Sequence, residues 1–380
     1  MPDTKKKFKI LFIIGTRPEA IKLGLLVQKS RSEEKIETTV VSSSQHKEIL
    51  KETLDYFNIT PDYDLDIMTK NQSLSLLTSQ LFKKLEPIFL TEKPSLVIAQ
   101  GDTTTALVAS IISFYHSCDF AHVEAGLRSH DLSSPFPEEF NRRVTGILSK
   151  FNFAPSDNAI QNLLNEGVPL KSIYLTGNTV IDAVQYCISN KKNISKELER
   201  ITLSDTKIIL VTLHRRENFG TNHKNVLKTI NELSGKYPGV KFIISVHPNP
   251  RIKDVVFEIF KNNDNVILIE ATHLKYDKFI HLVNHAYFII TDSGGIQEEA
   301  TILKKPVIIS RNETERIESI ECGGAILIPP MQTAIFIETI HNLIIDEQYY
   351  QKFIPKYCPY GDGDAVDKIF KIIRDYYELS

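Results

Sequence analysis

Short runs of β-branched and aliphatic residues recur along this chain, each followed by polar or glycine-rich residues and then by apolar positions at helical spacing. The clearest runs are Ile10–Ile14, Leu96–Ala99, Ile208–Thr212, Phe242–Val246, Tyr287–Thr291 and Val307–Ile309. Almost every position in them is apolar, so neither face alternates toward water. Such runs, separated by helices, mark parallel strands covered on both faces. The pattern predicts an α/β protein of two doubly wound Rossmann-like units. At 380 residues the chain is too long for one ordinary core and suits two. Lys191–Ser204 is polar and weakly patterned and is expected to be a flexible surface segment, with the next strand beginning at Lys207. The domain change is expected slightly earlier, near Gly177-Asn178-Thr179.

The unusual residues cluster at one kind of place. Gly15-Thr16-Arg17, Gln45-His46, Gly101-Asp102, Glu124, His214-Arg215-Arg216-Glu217, His247 and Asp292-Ser293-Gly294-Gly295 all stand just past a predicted strand. Open α/β sheets bind ligands outside the carboxyl ends of their strands. Two such sheets facing each other would bring these residues to one interdomain cleft.

Composition narrows the partners. Hydrophobic residues make up 42% and charged residues 24%, a globular profile, and the net charge of −2 offers no global field for nucleic acid or an anionic membrane. Any anion must be held by a local constellation. The four cysteines, Cys118, Cys187, Cys322 and Cys358, are scattered without a CxxC pair, which argues against a disulfide framework or a cysteine zinc site. Lys5-Lys6-Lys7 before Phe8–Ile14 superficially resembles a secretory leader. That apolar stretch is short, broken by Lys9, and runs into Gly15-Thr16-Arg17-Pro18 rather than a cleavage site. No apolar run approaches the ~18 residues a membrane span needs. The chain reads as cytoplasmic.

Thr16 and Glu19 have capping-box spacing and Pro18 suits a first helical turn, so a well-capped helix start accounts for three residues of Gly15-Thr16-Arg17-Pro18-Glu19. Arg17 is left over, because a cation at a helix N-terminus opposes the dipole unless an anion sits there. Arg17 is therefore a candidate phosphate ligand, with Lys22, one turn on, as a second cation. Asp292-Ser293-Gly294-Gly295 is another strand–glycine–helix junction, where paired glycines let backbone N–H groups approach a phosphate and Ser293 adds a hydroxyl. Glu299, one turn into that helix, is placed for a ribose diol. Neither GxxxxGK[ST] nor GxGxxG occurs, which disfavours P-loop and ordinary dinucleotide readings.

Acidic residues form a third group: Asp102 before three threonines, Glu124 in Val123-Glu124-Ala125-Gly126, and Glu138-Glu139 after Pro135-Phe136-Pro137. Singly, each suits a helix cap or a solvated charge, and Asp102 suits a cap well. Together, beside phosphate-binding cations, they read better as acid–base groups whose proton affinities are split by their neighbours. His214 opens a polar stretch that core packing does not require. His247 is balanced between a cleft residue and an ordinary loop histidine. Neither histidine has metal-ligand spacing.

Taken together, these segments resemble the non-hydrolysing bacterial UDP-N-acetylglucosamine 2-epimerases. The motifs are GTRPEAIK (15–22), QGDTTT (100–105), HVEAGLRS (122–129), SPFPEEFNR (134–142), TGNTVIDA (176–183), HRREN (214–218), HPNP (247–250), TDSGGIQEEA (291–300), TER (314–316) and PYGDGDA (359–365), in family order along essentially the whole chain. The resemblance implies a glycosyltransferase B type fold whose C-terminal helix crosses back to the first domain. The expected domains are thus 1–176 with 363–380, and 177–362. It also implies a homodimer with no metal or nicotinamide cofactor. By motif matching, UDP would be held by Arg17, Ser293, Gly294, Gly295, Glu299 and Arg316, with uracil meeting the backbone near Phe279. Asp102, Glu124, Glu138 and His214 match the family's catalytic positions.

The implied chemistry suits those residue types. The C2 proton of the sugar is only weakly acidic, so UDP must leave from C1 before or with its removal. Anti elimination gives 2-acetamidoglucal and UDP, and re-addition delivers a proton to the opposite face. Such a route needs an acid, a base and support for the departing diphosphate, the last a fitting task for His214. The resemblance further implies activation by a second UDP-N-acetylglucosamine at Gln45, Glu138, Arg215 and His247, made shallow by Asn71 standing where some members have arginine. Ile317 after Arg316, Gln100, and Ser129-His130 also depart from the family pattern, leaving room for a differently modified UDP-hexosamine. The rival readings are a hydrolysing epimerase, a retaining glycosyltransferase of the same fold, and a non-catalytic sugar-nucleotide sensor, which would not need three carboxylates.

Overall fold

The computed structural model describes residues 7–43, 47–69, 72–190, 195–202, 206–213 and 221–379. Its chain divides into two compact units, Met1–Ala183 with Tyr360–Ser380, and Val184–Pro359. The expected changes at 177 and 363 compare with seams after Ala183, inside a helix, and after Pro359.

Unit 1 runs β1 (Phe8–Ile14), α1 (Arg17–Ser32), β2 (Ile36–Ser42), α2 (Lys47–Tyr56), β3 (Tyr63–Asp64), α3 (Leu74–Glu92), β4 (Leu96–Gln100), α4 (Thr104–Tyr115), β5 (Asp119–Val123), α5 (Glu138–Leu148), β6 (Phe151–Ala154), α6 (Asp157–Asn165), β7 (Ile173–Leu175) and α7 (Thr179–Ser189), the last continuing into unit 2. Its seven strands are parallel, in the order β3-β2-β1-β4-β5-β6-β7. Leu11, Ile13, Val97 and Ala99 pack under Leu77, Leu81 and Leu85, a stripe at i, i+4, i+8 of α3, and under Val108 and Ile112 of α4.

Unit 2 continues with α8 (Lys196–Thr202), β8 (Lys207–Thr212), α9 (Thr221–Lys236), β9 (Val240–Val246), α10 (Pro250–Phe260), β10 (Val266–Glu270), α11 (Tyr276–His285), β11 (Phe288–Thr291), α12 (Gly294–Ile302), β12 (Val307–Ile309), α13 (Ile317–Glu321), β13 (Ala325–Leu327), α14 (Thr333–Ile345) and α15 (Glu347–Lys352). Its parallel sheet has the order β10-β9-β8-β11-β12-β13. In β8, Ile209 and Val211 meet Leu227 and Ile230 of α9, while Ile208 and Leu210 meet Leu282 and Val283 of α11. Helices on both faces explain why the run lacks alternation. The segment 191–204, expected to be flexible surface, is in part a helix. Residues 196–202 form α8, and Leu198 is buried in the same core as Ile208 and Leu210. A single apolar residue per turn carries that contact, too faint a signal to read from the sequence.

The chain ends in α16 (Ala365–Tyr377), which packs on α1 within unit 1 and buries Ile369, Phe370 and Ile373. Its first turn is capped from α7, where the Asp182 carboxylate accepts from the N–H groups of Ala365 (3.3 Å) and Val366 (3.0 Å). Its last turn is held by Tyr377, whose hydroxyl donates to Asp119 (2.6 Å). Among the described residues no helix is long and apolar enough to cross a membrane.

Candidate active site

In unit 1 strand order reverses between β1 and β4, the crevice where a doubly wound sheet takes its ligand. Gly15 follows β1. A Cβ there would lie 2.7 Å from both Ser43 Oγ and Thr105 Oγ1, so any larger residue would displace those hydroxyls. The expected capping box is present at the start of α1. Glu19 accepts from the N–H groups of Gly15 (2.5 Å) and Thr16 (2.6 Å), and also from Thr103 Oγ1 (2.6 Å), at the head of α4. Burial pushes the Glu19 carboxyl up to about 7, against these hydrogen bonds. Arg17, the first residue of α1, is half-buried.

Gly101, in the left-handed region at φ 77, turns the chain after β4 and presents Asp102. The helix-cap reading of Asp102 is corrected: Thr103 is the N-cap of α4, its side chain accepting from Ala106 N–H. The Asp102 carboxylate instead receives Nε (2.9 Å) and Nη2 (2.7 Å) of Arg142, from α5. Asn141 Nδ2 donates to the Asp102 carbonyl (2.8 Å). Behind the turn, His122 Nε2 donates to the Gly101 carbonyl (2.7 Å). Burial pushes that imidazole down to about 4, so it is neutral near pH 7.

Glu124 lies one residue beyond β5 with φ 66, a conformation uncommon for any residue but glycine. Its side chain is buried and receives the Lys22 ammonium and Asn178 Nδ2 (3.1 Å). Lys22, expected to face a phosphate, is thus buried with its charge on Glu124. The Glu138-Glu139 pair divides its duties. Glu139 is fully buried and accepts from Ser129 and Ser129's neighbour His130 through their N–H groups, and from Arg142 and Arg143. Glu138 opens α5, one turn before Arg142, whose guanidinium joins Asp102 to Glu139.

Unit 2 repeats the crevice between β8 and β11. Ser293 is the N-cap of α12. A Cβ on Gly294 would lie 2.8 Å from Arg316 Nη1, so the guanidinium lies against that glycine, whereas a Cβ on Gly295 would meet open space. Arg316 Nε donates to buried Glu298 (3.0 Å) and its Nη1 lies 3.7 Å from Glu315, which Arg311 also bonds (2.9 Å). Burial alone would push Glu315 up, but the Arg316 and Arg311 charges outweigh it and hold the carboxyl at about 2. Glu299 is buried on the same helix as its neighbour Glu298. Phe279 lies on α11, its N–H donating to the Lys275 carbonyl (2.9 Å). His247 Nδ1 accepts from Asn249 N–H (3.1 Å) just after β9, the contact of a loop-shaping histidine. Gln45, Asn71, His214 and Arg215 lie outside the described residues. Among the described residues no three His, Cys, Asp or Glu side chains are grouped to hold a metal ion.

The geometry adds residues that sequence reasoning missed. Arg142 stands at i+4 from Glu138 and i+3 from Glu139, a spacing that does signal contact on one helix face. Asn178 reaches Glu124 across 54 positions of sequence and left no local trace.

The profile of the UDP-N-acetylglucosamine 2-epimerase family matches residues 28–374. The chain belongs to that family. It is 43% identical to the UDP-N-acetylglucosamine 2-epimerase of Yersinia pestis, with 97% of this chain and 99% of that one covered. Among solved structures it resembles the UDP-GlcNAc 2-epimerase of Neisseria meningitidis bound to UDP-GlcNAc, at 39% identity and TM-score 0.90 over 97% of this chain and 100% of that one. It also resembles S. aureus MnaA solved with UDP, at 40% identity and TM-score 0.91, with 98% of each chain covered. The expected fold class, two doubly wound α/β units of glycosyltransferase B type, is the fold of these epimerases.

Proposed function

We propose that this chain interconverts UDP-N-acetylglucosamine and UDP-N-acetylmannosamine without hydrolysis, supplying a precursor for cell-surface polysaccharide from the cytoplasm. The observation that carries this reading is the set of carboxylates at one sheet end of an epimerase-family chain. Asp102 follows β4, Glu124 follows β5, and Glu138 heads the helix that binds Asp102 through Arg142. Unit 1 is assigned the proton transfers at C2. Asp102 is held by Arg142, and Glu124 by Lys22 and Asn178, so groups of one type stand in different surroundings, the condition for giving them different roles. Unit 2 is assigned the nucleotide. The N-terminus of α12, open at Gly295, offers backbone N–H groups and the helix dipole to a diphosphate, and Arg316 adds a charge. Glu299 would take the ribose, residues near Phe279 the base, and Arg17 a phosphate. His214 is proposed to assist the leaving phosphate. Once C1 has lost UDP it is oxocarbenium-like, and the C2 proton passes to a carboxylate. Re-addition of UDP to the glucal with protonation from the other face completes inversion.

Purified protein incubated with UDP-N-acetylglucosamine alone tests the reading. The expected product is UDP-N-acetylmannosamine at equilibrium with substrate. Free N-acetylmannosamine with UDP would make the enzyme hydrolysing, and turnover only with an added acceptor would make it a glycosyltransferase.

The proposal extends to a homodimer. Phe114 and Tyr115 on α4, with Phe136, Phe140 and Ile147 at and along α5, are between 49% and 71% exposed on two helices that pack together. A second copy covering them relieves an apolar face of this extent. A solution mass of one chain would remove this part. Activation by UDP-N-acetylglucosamine at a second site of Gln45, Glu138, Arg215 and His247 is likewise proposed, and proposed to be shallow because of Asn71. Pure UDP-N-acetylmannosamine should show a lag that a trace of the epimer abolishes, and immediate full-rate conversion would rule the second site out.

A further inference from the structure

Glu19 is a buried acid that the chemistry above does not use. Only 2% of it is exposed, and both carboxylate oxygens are engaged by two different loops. Oε2 accepts from Gly15 and Thr16, the turn that precedes Arg17. Oε1 accepts from Thr103, the residue after Asp102. Thr103 in turn caps α4 by accepting from Ala106 N–H, so its hydroxyl is used as donor and acceptor at once. Around this contact the chain has no slack. A Cβ on Gly15 would strike Ser43 and Thr105, whose hydroxyls lie 3.1 Å apart, so the ends of β1, β2 and β4 meet in one polar knot. A helix cap needs only the bonds to Gly15 and Thr16. The bond to Thr103, 84 positions away, needs another reason.

We propose that Glu19 is a positioning residue that, through Thr103, locks the phosphate-facing Arg17 turn and the Asp102 turn into one rigid unit. The inference rests on the reading of Asp102 as a proton-transfer group and of Arg17 as a phosphate ligand. Cutting the brace lets the Asp102 turn relax by fractions of an ångström, and displacement of a reacting group on that scale lowers turnover by about 10-fold to 100-fold.

The experiment is a double-substitution cycle on the full chain, reading UDP affinity and kcat per folded enzyme. Thr103→Val, which leaves the cap of α1 intact, should lower kcat on the order of 10-fold and shift UDP affinity less than about threefold. Thr103→Ser, which keeps the hydroxyl, should restore kcat. Glu19→Gln can keep its carbonyl on the two N–H groups and turn its amide to Thr103 Oγ1, so its kcat should stay within about threefold of the parent. Glu19→Leu should lower both kcat and UDP affinity, and adding Thr103→Val to it should lower kcat no further, because both break the bond that joins the two turns and the accompanying loss of the α4 cap acts on stability rather than on kcat per folded enzyme. Multiplying effects would overturn the brace, as would a Glu19→Leu protein that loses stability yet keeps kcat and UDP affinity. If Glu19→Leu does not fold, the Thr103 pair decides, since equal kcat for Val and Ser overturns the proposal. Asp102→Asn, assayed alongside, reports separately on the underlying reading. Retained turnover there removes Asp102 from the chemistry without altering the coupling of Glu19 to Thr103.

Discussion

Replacing Glu315 by Gln removes the anion that two arginines of unit 2 share. Its carboxyl is held at about 2, against an ordinary value of 4.5, because the Arg316 and Arg311 charges outweigh the burial that opposes them. The side chain is only 5% exposed, so solvent screening takes little from the pair. The difference between about 2 and 4.5, at ~1.36 kcal/mol per pH unit, corresponds to roughly 3 kcal/mol of stability near neutrality. The sign follows from proton counting. Between about 2 and 4.5 the unfolded chain binds more protons than the folded one, so stability from this group rises with pH through that window. It is fully present above about pH 5 and disappears as pH falls through 2. At pH 4 the same arithmetic leaves roughly three quarters of it. Glu315→Gln should therefore lower the stability of unit 2 by about 3 kcal/mol at pH 7, and the gap to the parent should narrow by roughly 1 kcal/mol at pH 4. Hydrogen exchange of β11 and β12 peptides across a urea series reads this local stability at both pH values. A variant as stable as the parent at pH 7, or a gap that widens on acidification, would refute the electrostatic reasoning.

The opposite sign is expected at Glu19. Burial raises its carboxyl to about 7, so the folded state holds the proton more tightly and stability falls as pH rises from 4.5 to 7. Glu19→Gln escapes this, and the stability of unit 1 in the variant relative to the parent should improve by roughly 2 to 3 kcal/mol between pH 5 and pH 8, as urea midpoints will register; a difference that does not change with pH contradicts the assignment. Asp102→Asn, Glu124→Gln and Glu138→Gln should each keep UDP binding and lose turnover by on the order of 10²-fold or more. Near-normal turnover in any of them would remove that carboxylate from the proton transfers. Arg17→Ala should mainly weaken UDP binding, measured by calorimetry, and unchanged affinity would leave Arg17 as a helix-start residue only.

The parts of the fold that could be read in advance share a physical cause. A parallel strand covered on both faces writes a continuous apolar run, so β1, β4, β8, β9, β11 and β12 were legible, and the capping box at Thr16 and Glu19 was legible because it is local. β6, β7 and β13 are as short as β11 and β12 but carry at most one β-branched residue each, so their strand state comes from neighbours rather than from their own pattern. The candidate residues could be named by type from the sequence, but their pairing could not. A helix cap stayed open as the alternative for Asp102 because any of the residues around Thr103 could serve, and only the fold places Arg142 on its carboxylate. Lys22 looked like a phosphate cation because its partner Glu124 lies 102 positions away. Long-range pairs of this kind are decided by topology, and no spacing rule encodes them.

The central claim is that epimerisation proceeds by elimination, with the C2 proton lost to a carboxylate and replaced from the other side. Turnover of UDP-N-acetylglucosamine in deuterium oxide, followed by mass and proton spectra of the separated sugar nucleotides, tests this most directly. UDP-N-acetylmannosamine should carry one deuterium at C2, without added metal or nicotinamide, and recovered UDP-N-acetylglucosamine should acquire it as equilibrium is approached. Product that retains the original C2 hydrogen would contradict the account and point to transient oxidation elsewhere on the sugar.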